Sequence, residues 1–532
     1  MKAHLLYEDH DFNFSADLPP NHKDLIQDLE LTTLLQAMAL GDRFLFDVSK
    51  RVVLTSLDDP VAVVYRQRVL ADCMAVPEVI RKMYAIAVGA IEDMRRIWGY
   101  GSQSPSSILS RAVKQLEVAV IRLGELRKIA DNHAEEVQSA GLRVLFRSLQ
   151  RELDDAYLQT VGHHLKQLRF RDGEFMSAEL DGDNSGIGFV LRSTGKGKPS
   201  WKERVGIGPR SSYSFTIPAR DDAGAQALSD LTSRGINLVA NAAAQSADHI
   251  SSYFIMLRAE LGFYVSCLNL RDLLAAKGVP TSFPEPLPRQ PAKLSTTALS
   301  DVCLALLADN PLVGNDVDAD GKSLVIITGA NSGGKSTFLR SVGLAQLMMQ
   351  CGMFVAAVAY RANVSCGIFT HFTREEDASM TSGRLDEELL RMSAIADQIR
   401  PNCVVLFNES FAATNEREGS EIGRQIVRAL LEADIKVFFV SHQFDFAEGF
   451  HRQHADSTLF LRAERQPNGE RNYKLAVADP LPTSFGEDLY YRFGLWLDEE
   501  DRHPPTSGAE KAPAAAVHTR GDTSASIQRV AD

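Results

Sequence analysis

The run at residues 329–336 has the sequence G-A-N-S-G-G-K-S, which matches the phosphate-binding pattern G-x-x-x-x-G-K-[ST]. In this motif, glycines let backbone N–H groups curl around phosphate oxygens, and the following helix adds its positive N-terminus. The lysine reaches the β and γ oxygens, and the serine hydroxyl binds Mg²⁺. The sequence therefore predicts a nucleotide site made by Gly329, Asn331, Ser332, Gly333, Gly334, Lys335, Ser336 and Thr337.

A second chemical signal is the pair Asn408-Glu409, which follows the apolar run at residues 404–407. P-loop hydrolases usually place one acid near the metal and a second near the attacking water at such a strand end. Glu409 stands at the second position, where a carboxylate orients or deprotonates water. Asn408 stands at the first, where its amide offers Mg²⁺ or its water shell only a neutral oxygen. The alternative is that Glu409 is simply a polar residue at a strand end.

His442 follows a third apolar run, at residues 436–440. A histidine at this strand end suits a sensor of the γ-phosphate. Taken alone, such a histidine is more often structural.

The elements that must position these residues alternate between strand and helix. Strands are predicted at 323–328, 403–407 and 436–440, and helices from Lys335 and from Glu418. This alternation predicts a parallel sheet. Two more strands, at 457–461 and 472–476, are predicted to form a hairpin across residues 468–469.

Residues 25–278 show mainly helical spacing of apolar side chains. The longest stripe runs through residues 228–277, where a helix would span on the order of 70 Å. A rod of that length suits a lever between distant sites.

One interruption, at residues 170–218, contains short β-like runs at 174–180, 187–192 and 213–217, and predicts a small β insertion. Within it, the stretch at residues 191–210 holds six basic side chains against Glu203 alone, which gives a local charge of +5 around Trp201. This stretch either contacts DNA phosphates or is a solvated loop. The candidate DNA contacts are Arg192, Lys196, Lys198, Trp201, Lys202, Arg204 and Arg210.

The overall composition limits the possible partners. The 69 acidic and 57 basic residues give a net charge of −12, which argues against coating nucleic acid by bulk attraction. The six cysteines include no C-x-x-C pair, which argues against a zinc site or a disulfide framework. No run of about 18 apolar residues occurs, so a cytoplasmic protein without a membrane span is expected.

With the three strand ends in this order, the chain resembles the MutS family of DNA mismatch-repair ATPases. The resemblance is specific over about residues 295–495 and is weaker but continuous over the helical part. The matching runs are I-I-T-G-A-N-S-G-G-K-S-T at 326–337, G-I-F-T at 367–370, S-G-R at 382–384, F-N-E at 407–409 with Thr414 and Gly419, and F-F-V-S-H at 438–442.

The resemblance implies an α/β P-loop NTPase domain of the ABC ATPase type, preceded by a mainly α lever and core domain. It implies ATP and Mg²⁺ as cofactors, Glu409 as the residue that activates water, and His442 as the switch. It also implies a homodimer that closes a helical clamp on DNA, with residues 382–384 near the opposite subunit. We expect no mismatch-recognition or connector domain before the lever region and no nuclease module after the ATPase domain.

Three positions depart from the family pattern. Asn408 replaces an aspartate, S-F-A at residues 410–412 replaces I-G-R, and an S-T-x-F run after residues 383–384 is missing. The first departure predicts slow hydrolysis and keeps a second hypothesis open, a nucleotide-gated scaffold that binds a protein partner. The missing run leaves the dimer contact open.

The predicted organisation has five parts. An N-terminal extension (1–24) precedes the helical region (25–279), a proline-rich linker (280–294), the ATPase domain (295–498) and a disordered tail (499–532).

Overall fold

Helices dominate the first half of the chain, as the apolar spacing predicts. The computed structural model describes residues 2–97, 104–170, 175–183, 186–192, 216–218, 220–374, 383–466 and 470–482. The first helices are α1 (His22–Asp28), α2 (Leu31–Ala39), α3 (Arg43–Leu54), α4 (Pro60–Ala75), α5 (Pro77–Arg96), α6 (Pro105–His133), α7 (Ala140–Glu152) and α8 (Asp155–Gln167).

The predicted rod is a single helix, α9 (Asp222–Ala276), with 55 residues and a length of about 80 Å. It begins six residues before the predicted start because the side chain of Asp221 caps it, accepting a hydrogen bond from the Gly224 amide. The helix packs along α6 and α5. Among the described residues, no helix is long and apolar enough to cross a membrane.

The small β insertion contains two antiparallel strands, β1 (Met176–Leu180) and β2 (Gly186–Leu191). Arg192 follows β2, and its Nε donates to Ser177 Oγ at 2.8 Å. The other six candidate DNA contacts lie outside the described residues. The third predicted run is described only at residues 216–217, which form no strand.

The predicted parallel sheet is present in the second half of the chain. Its strand order is β12-β11-β6-β10-β9-β8, and all neighbours are parallel except the antiparallel pair β11 and β12. The strands are β6 (Leu324–Gly329), β8 (Ile368–Phe372), β9 (Val404–Asn408), β10 (Lys436–Val440), β11 (Thr458–Arg465) and β12 (Arg471–Val477). The hairpin turn predicted at residues 468–469 lies outside the described residues.

Helices flank this sheet: α11 (Lys335–Gln350), α12 (Arg384–Ala396), α13 (Glu416–Glu432) and α14 (Phe444–His454). Helix α13 begins two residues before its predicted start because the Asn415 side chain caps it, accepting from the Glu418 amide.

A second sheet was not anticipated. Its order is β3 (Glu285–Leu287), β7 (Ala359–Asn363), β4 (Leu294–Leu299) and β5 (Asn315–Asp318), and the short helix α10 (Val302–Leu307) follows β4. The segment predicted as a linker thus contains a strand. Pro286 is compatible with that strand because β3 lies at the edge of the sheet.

The apolar core is shared between the helical region and helix α11. One cluster includes Leu257 and Phe263 of α9 together with Leu344 and Met348 of α11. Arg66 of α4 is fully buried within this region. Its Nε and Nη2 donate to the Leu6 carbonyl at 3.1 Å, and its Nη1 donates to the Cys351 carbonyl at 3.1 Å. These bonds offset the cost of burying the charge.

The N-terminal segment is fixed to α9 by buried polar groups. Glu260 accepts hydrogen bonds from the amides of Leu5, at 2.6 Å, and Phe12, at 3.2 Å. The Tyr264 hydroxyl donates to the Leu5 carbonyl. Burial raises the pKa of Glu260 to about 7, although the amide donors favour the charged form.

Replacing Glu260 with glutamine should remove a pH dependence of stability. The folded protein keeps a proton on Glu260 up to about pH 7, whereas the unfolded chain releases it near the ordinary value of 4.5. As the pH rises from 4.5 to 7, the free energy of unfolding of the wild type should therefore fall by up to about 3 kcal/mol relative to that of Glu260→Gln. Thermal unfolding midpoints of both proteins between pH 4.5 and 8 measure this difference. Glu432→Gln, at an exposed residue, is the control. If the difference in unfolding midpoint between the wild type and Glu260→Gln does not change with pH, the expectation is wrong.

Candidate functional site

The glycine-rich run forms the turn between β6 and α11, and two of its glycines adopt conformations that other residues rarely reach. Gly329 has φ +106° and Gly334 has φ +89°. A Cβ at Gly329 would lie 2.8 Å from the Ala463 amide nitrogen of the neighbouring strand. The loop therefore depends on glycine both for its turn and for its close approach to β11.

Lys335 is the first residue of α11, and its side chain folds back into this loop. The ammonium donates to the carbonyls of Gly329, at 3.1 Å, and Ala330, at 3.0 Å. Only 5% of the residue is exposed. Burial lowers the pKa of Lys335 to about 8, while the nearby charge of Glu409 opposes that shift. The loop thus encloses a cation that has no salt bridge to a carboxylate among the described residues and is suited to an incoming anion.

Ser336 and Asn408 meet where the motif predicts a metal. The Ser336 hydroxyl donates to Asn408 Oδ1 at 2.8 Å. Mg²⁺ in nucleotide sites is usually bound through one or two carboxylates together with phosphates and water. The described residues contain no group of three or more His, Cys, Asp or Glu side chains that could hold a metal ion. These two neutral oxygens fit a Mg²⁺ ion that takes most of its ligands from phosphate and water.

Glu409 and His442 lie at the ends of the adjacent strands β9 and β10. Glu409 Oε1 lies 2.6 Å from His442 Nε2, and this hydrogen bond is the main cause of the lowered pKa of Glu409. The Glu409 amide donates to the Val440 carbonyl, which joins the two strand ends. Glu409 has φ +56°, a strained conformation for a residue with a side chain. Such strain is concentrated at functional sites.

A buried histidine in the neighbouring strand β8 contacts the segment that follows β9. His371 of β8 is fully buried, and its Nδ1 lies 2.7 Å from the Ser410 hydroxyl. Its Nε2 donates to the Glu388 carbonyl at 2.9 Å. Burial lowers the pKa of His371 to about 4, so the ring is neutral near pH 7. Ser410 is at one of the positions that depart from the family pattern. It therefore has a buried polar hydrogen-bond partner in β8.

Strand β12 supplies contacts that the sequence did not reveal. Arg471 Nε donates to the Asn331 carbonyl in the glycine-rich loop at 3.1 Å. Tyr473, two residues along, accepts a hydrogen bond at its carbonyl from Asn315 Nδ2 at 3.2 Å. No local pattern marks these residues, because they reach the loop only through the pairing of β12 with β11 and of β11 with β6.

A cavity of about 700 Å³ lies against the glycine-rich loop. That volume lies within the usual range for small-molecule sites. Residues from both sheets line it, including Asn331, Ser332, Gly333, Gly334, Lys335, Ser336, Thr337, Glu409 and His442 from the prediction, and Leu312, Val313, Asn315 and Tyr473 in addition. The structure therefore gathers the predicted nucleotide residues other than Gly329 at one cavity with Glu409 and His442, and Asn408 is bonded to Ser336 beside it.

Other predicted site residues stand apart from this cavity or are not described. Gly383 and Arg384 precede and begin α12, whereas Ser382 lies outside the described residues. The basic stretch is described only at Arg192, which lies in the β insertion.

Two family models match the chain, one in each half. The first is the MutS2 N-terminal domain, over residues 58–277. The second is MutS domain V, over residues 325–486, which contains β6, the glycine-rich loop, β9 and β10.

Individual relatives each match less than half of the chain. The DNA mismatch repair protein MutS of Chloroflexus aurantiacus is 28% identical over 216 residues, which are 37% of this chain and 22% of that protein. MutS protein homolog 4 of Mus musculus is 27% identical over 226 residues, covering 42% and 22%. Endonuclease MutS2 of Bacillus velezensis is 28% identical over 151 residues, covering 28% and 19%. The matches thus span about a fifth of each of these curated relatives.

Lys335→Ala should abolish or strongly weaken nucleotide binding. A lost charge-assisted hydrogen bond costs about 1.5–3 kcal/mol, or roughly tenfold to a hundredfold in affinity. Equilibrium binding of a fluorescent ATP analogue measures the change. The control Lys322→Ala removes a lysine near the opposite end of β6, where its ammonium donates to the Asp456 carbonyl. Wild-type affinity in a folded Lys335→Ala protein would remove the basis for assigning a nucleotide site here.

Proposed function

Because the chain belongs to the MutS family, we propose that it is an ATP-binding, DNA-binding ATPase that uses Mg²⁺. In this proposal, residues 295–498 form a P-loop NTPase domain of the ABC type, and the helical region acts as the lever. The ATP cycle opens and closes a homodimeric clamp on DNA, in mismatch repair or in the processing of branched DNA.

The observation that best supports the proposal is the convergence of three separate strand ends on one cavity. Lys335 follows β6, Glu409 follows β9, and His442 follows β10. Each of these residue types has a distinct use toward a nucleoside triphosphate. We assign phosphate binding to Lys335, water activation to Glu409 and sensing of the γ-phosphate to His442.

Mg²⁺ would be held by Ser336 and Asn408 and would neutralise charge on the phosphates. Glu409 is 37% exposed at its side chain, which leaves room for a water molecule beside the carboxylate. Its hydrogen bond to His442 holds the carboxylate in the ionised form that a general base requires. His442 would thereby couple the position of the base to its own contact with the nucleotide.

A second candidate function is a nucleotide-gated scaffold with little or no turnover, which binds a protein partner. The specific observation in its favour is Asn408, whose amide accepts from Ser336 where an acid would otherwise stand. Both candidate functions require ATP binding. They differ in whether the protein hydrolyses ATP and in whether it binds DNA.

Substitutions at the strand end of β9 should separate binding from turnover. Glu409→Gln should keep ATP binding and lose hydrolysis, because an amide cannot take a proton from water. It should therefore accumulate the ATP-bound dimer, which light scattering detects.

Asn408→Asp should increase Mg²⁺-dependent hydrolysis, because a carboxylate holds the ion more strongly. Phosphate release at saturating ATP measures both effects, and equal rates in the wild type and both variants would exclude these roles.

Neutralising Lys196, Lys198, Lys202 and Arg204 together should weaken binding to DNA of any sequence. Each lost phosphate contact should lower the slope of log affinity against log salt by roughly 0.9, so four contacts account for about 3.6. Binding to linear, mismatched and branched duplexes, with and without ATP and across a salt series, measures the change.

The matched control neutralises Arg95, Arg96, Arg147 and Arg151, which are exposed on α5 and α7. It removes the same charge from a different surface. Wild-type affinity and slope in the first variant would favour the scaffold over the DNA clamp.

A further inference from the structure

The turn that follows β9, at residues 409–411, contains two residues with side chains in the left-handed region. Glu409 has φ +56° and Phe411 has φ +62°. Residues other than glycine rarely adopt this conformation, because their Cβ lies too close to a backbone carbonyl oxygen. Phe411 is the middle residue of the run S-F-A, where the family pattern has glycine. The turn therefore needs contacts from other segments to keep its conformation.

Side chains from outside the turn bind its backbone. The hydroxyl of Thr373, which follows β8, donates to the Glu409 carbonyl at 2.7 Å. Glu388 of α12, a residue that is 5% exposed, accepts from the Phe411 amide at 2.8 Å. The Phe411 carbonyl accepts from Gln443 Nε2 at 3.2 Å. Each of the two strained residues is thus held by at least one side chain from another element.

His371 holds the side chains of the turn. The ring of Phe411 is fully buried and stacks on the imidazole, with ring centroids 5.2 Å apart and an angle of 25° between the planes. The Ser410 hydroxyl lies 2.7 Å from His371 Nδ1 and 2.6 Å from the His371 carbonyl oxygen. A displaced turn would leave these buried polar groups unpaired, which is unfavourable. The contacts with His371 therefore resist movement of the turn.

The turn determines where the Glu409 carboxylate lies. Glu409 is its first residue, lines the cavity, and places Oε1 2.6 Å from His442 Nε2. Thr373, His371 and Glu388 are not among the described residues that line the cavity. Misplacing a reacting group by about 1 Å can cost roughly a hundredfold in rate. These three side chains can thus influence hydrolysis through Glu409 without contacting the nucleotide.

We propose that Thr373, His371 and Glu388 are positioning residues, which hold the turn so that the Glu409 carboxylate faces the cavity and raise the rate of ATP hydrolysis without adding to ATP affinity. The inference rests on the proposed ATPase activity and names the residues that place its base. Glycine adopts the left-handed conformation without strain. A chain with phenylalanine at residue 411 depends instead on the ring contact with His371 and on the bond from its amide to Glu388.

The first test uses Thr373, whose hydroxyl can be replaced by a methyl group of similar size. Thr373→Val loses the hydrogen bond to the Glu409 carbonyl, so kcat for ATP hydrolysis should fall roughly tenfold to a hundredfold. The equilibrium affinity for a fluorescent ATP analogue should change by less than about twofold, because the loss affects turnover alone. Thr373→Ser, which keeps the hydroxyl, should retain kcat within about threefold of the wild type.

Glu388 provides an independent pair of variants. Glu388→Gln keeps a side-chain oxygen that can accept from the Phe411 amide and should behave like the wild type. Glu388→Leu leaves that buried amide unpaired and should lower kcat as Thr373→Val does. The matched control is Thr160→Val on α8, which removes an exposed hydroxyl that donates to the Ala156 carbonyl at 2.7 Å. Thermal midpoints establish that each variant is folded, and the Thr373 pair decides if Glu388→Leu does not fold.

The outcomes separate the positioning role from the proposed function. Equal kcat in the wild type and Thr373→Val overturns the positioning role and leaves the ATPase intact. Parallel losses of kcat and ATP affinity also overturn it, as does a loss in Thr373→Ser equal to that in Thr373→Val, because the hydroxyl would then not be the cause. A wild type that binds ATP without hydrolysing it excludes both the positioning role and the ATPase and favours the scaffold. A wild type that does not bind ATP overturns the proposed function as a whole.

Discussion

The buried guanidinium of Arg66 sets a constraint on which the rest of the structure depends. It bonds to the carbonyl of Leu6 near the N-terminus and to that of Cys351 at the end of α11. A buried charge that lost these acceptors would be strongly destabilising, so the three segments have to stay together. The chain permits the contact because residue 352 is a glycine, where a Cβ would lie 2.6 Å from that of Arg66. Helix α11 is therefore fixed to the helical region at one end and holds Lys335 at the other.

A second connection reaches α11 near its first turn. Arg340 pairs with Asp301, which lines the cavity, and with Glu30 at the start of α2. Together with the shared apolar core, this makes α11 a physical link between the cavity and the helices. A shift of the helix on filling the cavity would have to be accommodated in the helical region, since closely packed interiors do not absorb displacement locally.

The parts of this structure that the sequence predicted are those encoded by short-range patterns. Glycine spacing and apolar runs predict β6, the loop after it and the start of α11. Strand β10 has the predicted bounds. The missed parts depend on contacts between distant segments. Arg471 reaches the loop only through the order of three strands, and β3 pairs with a strand more than 70 residues away. The burial of Leu5 and Leu6 likewise follows from Glu260 and Arg66, which no local periodicity connects to them.

The length of α9 determines how far small rotations would propagate. The segment between Tyr253 and Asp222, which packs against α6 through Ile236, Ala240 and Ala243, rises by about 45 Å. A tilt of 10° about Tyr253, shared by the α6 side of the packing, would move the distal end by about 8 Å. The precision with which α9 is oriented near Tyr253 thus determines how precisely its Asp222 end is positioned. Side-chain changes near the pivot, such as a single methylene lost beside Phe254, would accordingly be detected more readily by distances measured at the far end than by any measured at the core.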